Sequence, residues 1–224
     1  AGLEGGMVAT AVNLSPLPPE VFDAIGPYVH ACKMMGSMAS QILGHTPKSL
    51  KVELAGGLAD ADPAPLLAAV LDGGLPYRRL GAFSAANAES VASQHGISVT
   101  TASVRDAGEY ASSVRIVADE VEVAATLFGT EHTPRIISLM GYKIDIAPAT
   151  TSLVFEYVDA PGRIGVIGTI LGDAAANITT MQIGTKPEES CALVYMNVEG
   201  DVSEAVLDRL RGAIDLRNLW KITL

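Results

Sequence analysis

Residues 157–184 read YVDAPGRIGVIGTILGDAAANITTMQIG. Tyr157 and Val158 close an apolar, β-rich run, SLVFEYV at 152–158. Asp159-Ala160-Pro161-Gly162 then turns the chain, since Pro-Gly presets a tight backbone bend. Pro161 stands where a first helical residue is expected, and Ile164, Ile167, Ile170 and Leu171 recur at helical spacing behind it. Asn177 lies between that helix and a second strand, Ile178 to Thr185.

Working outward, Cys191 to Val198 alternates apolar residues as a third strand does. Asp201 followed by Glu204 is a helix-start signature, and Val206, Leu207, Leu210 and Ile214 give that helix one apolar face. Leu219 to Leu224 is a last strand. The order is βαββαβ, a ferredoxin-like split unit over residues 149–224. Pro148-Ala149-Thr150 is its natural upstream boundary.

Upstream, residues 1–13 are Gly-rich and non-periodic, a lead-in segment. Pro16, Pro18 and Pro19 mark a helix start, and apolar residues recur helically from Val21 to Leu43. Gly26-Pro27 is expected to split this stretch into two helices, with Gly44 as the stop. KVELAG at 51–56 reads as a strand, Pro63 to Leu75 and Asn87 to His95 as helices, and ISVTTASV at 97–104 as a strand. Short β-rich stretches follow at 114–118, 121–128, 135–140 and 142–146. Residues 14–148 therefore form a helix-plus-antiparallel-sheet domain, and the whole chain is α+β.

The 224 residues are 49% hydrophobic but only 5% aromatic, so the core is aliphatic. No apolar run approaches the roughly 18–20 residues of a membrane helix. Twenty-five acids against 15 bases leave a net charge of −10, which repels polyphosphate and argues against a nucleic-acid binder. Two cysteines, Cys32 and Cys191, make neither a disulfide framework nor a zinc site and read as buried thiols of a cytoplasmic protein. The four histidines have no metal-ligand spacing. GRIGVIG at 162–168 has the spacing G-x-x-G-x-x-G, not the dinucleotide fingerprint. No Walker loop, nucleophile elbow or Cys/His pairing is present, so no catalytic, metal or cofactor residue is expected within this chain.

One stretch does suggest chemistry. The N–H groups around Gly162 to Gly165 face outward at a helix N-terminus, where unsatisfied donors and the dipole favour a carboxylate. Asp159 beside them could hold an ammonium, and the two together describe an amino-acid pocket. Asp159 could equally serve only as a helix cap. Asn177 reads either as a turn residue in a left-handed conformation or as an amide that donates to a ligand carboxylate and accepts from its hydroxyl or ammonium.

The stretch 157–184 resembles the ACT domain, an amino-acid-sensing module: strand, D-x-P-G turn, helix, A-x-N-I and second strand all match. The resemblance extends upstream. MVATAVN at 7–13, TLFG at 126–129 and PRIISLMGYKIDIAP at 134–148 are similar to the intervening, allosteric substrate-binding domain of the long form of D-3-phosphoglycerate dehydrogenase. The chain thus resembles the C-terminal regulatory part of that family.

The resemblance implies that two ACT domains pair edge to edge and bind L-serine, a feedback inhibitor, or another small amino acid between them. Its effector positions fall on Tyr157, Asp159, Pro161, Gly162, Arg163, Ile164 and Gly165, with Asn177 reaching in from the partner. It implies a homodimer or homotetramer, and NAD in a nucleotide-binding part absent here. A candidate anion site in the intervening domain falls on Arg135 and Lys143, while Ala147 and Asn197 occupy places where a basic residue can occur. Two rivals remain open: the β part of an iron–sulfur L-serine dehydratase, and an ACT-mediated assembly module with no ligand. The first normally carries an S-S-S-H-T-like run and cluster cysteines, neither of which is seen.

Overall fold

The computed structural model describes residues 19–74, 84–186, 188 and 190–224, with side chains from Ile25 onward. The lead-in 1–13 lies outside these residues, as do Pro16, Pro18 and the side chains of Val21 and Phe22. Five helices and ten strands are described, an α+β chain. Among the described residues no helix is long and apolar enough to cross a membrane. Packing divides the chain into two compact units, up to Arg135 and from Ile136.

The first unit opens with α1 (Pro19–Leu43), which runs unbroken through Pro27. The expected split at Gly26-Pro27 does not occur. A mid-helix proline costs about 3 kcal/mol, but the residues around it, Ile25, Tyr28, Ala31 and Cys32, are all buried. Burying each large apolar side chain returns about 1.5–3 kcal/mol. Gly44, at φ 70, ends the helix with its N–H donated to Ser40 O. Next come β1 (Ser49–Gly56), α2 (Ala64–Gly74), α3 (Ala88–Gln94), β2 (Ser98–Val104), β3 (Ser112–Ala118) and β4 (Val121–Phe128). The strands lie in the order β2-β1-β3-β4.

β1 pairs antiparallel with β3, and β3 with β4, but β1 and β2 are parallel. An antiparallel run was expected throughout. The connection from β1 to β2 carries α2 and α3, and a helical crossover returns the chain in the same direction. α1 packs on α2 and on β4. The two helices approach closely at glycines: a Cβ on Gly36 would lie 2.0 Å from Val70 O, and one on Gly73 2.0 Å from Lys33 O.

The second unit begins within β5 (Thr133–Leu139), which forms a hairpin with β6 (Tyr142–Ile146) through Met140 and Gly141, both at positive φ. Then follow β7 (Thr151–Val158), α4 (Arg163–Asp173), β8 (Asn177–Lys186), β9 (Cys191–Glu199), α5 (Glu204–Ala213) and β10 (Leu216–Thr223). The sheet order is β10-β7-β9-β8, antiparallel throughout. One sheet face carries Leu153, Phe155, Tyr157, Val194 and Met196, packed with Ile167 and Leu171 of α4 and Leu207 and Leu210 of α5.

The opposite face meets the β5–β6 hairpin. Tyr142 Oη donates to Glu156 Oε1 at 2.9 Å, Asn197 Nδ2 donates to Ala147 O at 2.8 Å, and a Cβ on Gly184 would meet Lys143 O at 2.8 Å. These contacts explain why the packing division falls upstream of Pro148. At α5, Ser203 rather than Asp201 is the N-cap residue, and it makes no side-chain capping bond. Glu204 instead accepts from Arg211 Nη1 at 2.6 Å.

Candidate functional site

The turn after β7 builds the site. Pro161 was expected as the first helical residue; it lies in the turn instead, and Gly162 at φ 87 is the N-cap of α4. A left-handed residue there disconnects Pro161 from the helix, and glycine takes that conformation without a Cβ clash. Gly162 offers no side-chain cap. The first helical bond runs from Val166 N–H to Gly162 O at 3.1 Å, and Arg163 N–H reaches Ala160 O only at 3.5 Å. Among the described residues the N–H groups of Ile164 and Gly165 have no acceptor. Two open donors thus sit at the positive end of an 11-residue helix.

Asp159 is exposed, and its carboxylate caps nothing: it makes no hydrogen bond or ion pair among the described residues. Its backbone is fixed, with Asp159 N–H donating to Ser190 O at 3.1 Å. Tyr157 is 2% exposed and belongs to the core. Burial pushes its phenol pKa up, and the neighbouring Asp159 carboxylate pushes it further, so it presents a neutral ring wall. Arg163, three-quarters buried, donates from Nη2 to Asp215 Oδ2 at 2.6 Å, while its buried Nε has no partner.

A single open pocket gathers these groups. Tyr157, Asp159, Ala160, Pro161, Gly162, Arg163, Ile164, Gly165 and Ile183 line it. The sequence alone points to all of these except Ala160 and Ile183. Ile183 comes from β8 and is 41% exposed despite its size. The period-two spacing of Met181 and Ile183 was the available signal, as both point to the helix-covered face of β8.

Asn177 does not line the pocket. It begins β8 with an exposed side chain, and the left-handed residue nearby is Ala175 at φ 55. Arg135 places its guanidinium 5.7 Å from the ring centroid of Phe128, and Lys143 is exposed on β6. Neither lines this pocket. Among the described residues no group of three or more His, Cys, Asp or Glu could hold a metal ion.

The pocket thus offers backbone donors for a carboxylate, a free carboxylate for an ammonium, and a short apolar wall from Tyr157, Ile164 and Ile183. It suits a small zwitterion.

A family model described as the D-3-phosphoglycerate dehydrogenase intervening domain matches residues 24–140. Curated relatives include D-3-phosphoglycerate dehydrogenase of Methanocaldococcus jannaschii, 25% identical over 99% of this chain and 43% of the relative. The Mycobacterium tuberculosis and Bacillus subtilis proteins of that name are each 27% identical, again over 99% of this chain and 43% of theirs. The chain therefore spans less than half the length of these relatives.

Proposed function

The chain belongs to the D-3-phosphoglycerate dehydrogenase intervening-domain family, and on that premise we propose that it is the regulatory part of such an enzyme. Its second unit is an ACT-type sensor of L-serine. The order β7-α4-β8-β9-α5-β10 with sheet order β10-β7-β9-β8 supports the ferredoxin-like reading of that unit. Dehydrogenation and its NAD cofactor belong to the parent enzyme rather than to these residues. The observation that carries the reading is the uncapped N-terminus of α4 beside the unpaired Asp159. The ligand carboxylate takes the N–H groups of Ile164 and Gly165, and Asp159 takes the ammonium.

A second copy completes the site. β8 is an edge strand of the sheet. Antiparallel pairing of two β8 strands about a two-fold sets the start of one against the end of the other. That brings the partner's Asn177 toward Ile183 and the pocket. The edge is also protected by such pairing. Serine then favours the subunit arrangement in which two halves of the site meet, a population shift felt by the whole enzyme.

The test is calorimetric titration with L-serine, against glycine and L-alanine as controls. Serine-selective binding that weakens at least about tenfold in Asp159→Ala and Asn177→Ala supports the reading, since about 1.4 kcal/mol of lost charge-assisted contact gives that factor. A folded dimer that binds none of the three refutes it and leaves assembly as the role.

A further inference from the structure

We infer that Asp215, which does not line the pocket, sets the charge of the ligand the pocket accepts; this rests on the zwitterion reading above. Asp215 lies between α5 and β10, far along the chain from the pocket turn, yet it holds that turn at both ends. Its backbone carbonyl accepts from Val158 N–H at 3.2 Å, and its carboxylate accepts from Arg163 Nη2 at 2.6 Å. Val158 and Arg163 bracket the turn that carries Asp159.

The electrostatic consequence follows from Arg163. Among the described residues that line the pocket it is the one cation, a guanidinium. Left alone, it adds a full positive charge beside the positive end of α4. Such a pocket holds two anion sites against the single carboxylate of Asp159, and it favours acidic amino acids over neutral ones. Asp215 cancels that charge at contact distance. Without the Asp215 carboxylate, Arg163 Nη2 loses its acceptor, and that donor becomes available to a ligand. The Asp215 carboxylate is 75% exposed, so replacing it disturbs no packing, and the backbone carbonyl that anchors Val158 survives any substitution.

Asp215 is therefore a specificity-determining residue that makes the site select a net-neutral amino acid. The test compares L-serine and L-aspartate by calorimetry in the intact chain. In Asp215→Asn the affinity of L-aspartate relative to L-serine rises at least about fivefold, and high salt shrinks the gain because the new attraction is between charges. Asp215→Glu restores the original ratio, and adding Arg163→Gln to Asp215→Asn abolishes the gain. An unchanged ratio in Asp215→Asn, with L-serine still bound, overturns the inference and leaves the pocket standing. Failure of both amino acids to bind any of these proteins overturns the pocket itself, and the inference with it.

Discussion

Replacing Gly36 by alanine puts a methyl group where α1 and α2 touch backbone to backbone. The added Cβ lies 2.0 Å from Val70 O, 2.9 Å from Val70 C and 3.0 Å from Gly74 N. All three are main-chain atoms of α2, so no side chain can rotate away. Ordinary contact begins near 3.4 Å, and α2 must retreat by more than about 1 Å. That retreat loosens Leu66, Leu67 and Val70, each at most 3% exposed. Overpacking of this kind costs about 1–3 kcal/mol, and a rigid backbone obstacle belongs at the upper end. Alanine's better helix propensity returns at most about 1 kcal/mol. The expected net loss is about 2 kcal/mol. Gly168→Ala is the control, because it too is mid-helix and nothing lies within 4 Å of its Cβ; it should gain up to about 1 kcal/mol. Urea unfolding followed by far-UV circular dichroism reads both. A midpoint for Gly36→Ala equal to or above the parent protein's would refute the reasoning.

Tyr142→Phe removes the donor to Glu156 Oε1, although Asn218 Nδ2 still holds Oε2 at 2.8 Å. It should cost about 1.5 kcal/mol or more, as hydrogen bonds to charged groups do; an unchanged thermal midpoint contradicts this. Burial pushes the Cys32 thiol pKa up to about 12, so at about pH 8 it carries almost no thiolate and stays unalkylated until the chain is denatured. Rapid labelling of Cys32 in the folded protein, seen by peptide mass spectrometry, would show that reading to be wrong. For Asp119, partial burial raises the pKa, but hydrogen bonds from Lys48 N–H, Ser49 N–H and the Ser49 hydroxyl, together with nearby His45, outweigh it and lower the value below the ordinary 3.8. A depressed carboxylate pKa stabilises above the unfolded value, and that stabilisation is lost as pH falls through the folded one. Asp119→Asn should therefore be less stable than the parent at about pH 7 and equal to it at about pH 2. A gap that persists in acid is inconsistent with this assignment.

The pocket turn was legible because its signals are local. Pro-Gly punctuates the chain, and the isoleucines after it keep a helical period. The same local logic misplaced Pro161, since whether a proline sits inside or before a helix depends on the φ of its neighbour, here Gly162 at 87. Pro27 was misread for the opposite reason. Its local cost is real, but the packing of Ile25, Tyr28 and Cys32 overrides it. The parallel β1–β2 pair follows from the helices α2 and α3 that cross between the two strands, and strand periodicity alone carries no sign of direction. Ile183 needed the sheet order, which places β8 at an edge and leaves that side chain open. Asp215 was invisible, because its partner Arg163 is 52 positions away and only the fold brings them together.

The most direct measurement follows the amide resonances of Ile164 and Gly165 by NMR as L-serine is added to the intact chain. The expected result is a saturable shift of both, with the affinity found by calorimetry, and a titration midpoint at least about tenfold higher in Asp159→Ala. If both resonances stay in place at saturating L-serine, the N-terminus of α4 is not a carboxylate site, and the sensor reading of this unit is contradicted.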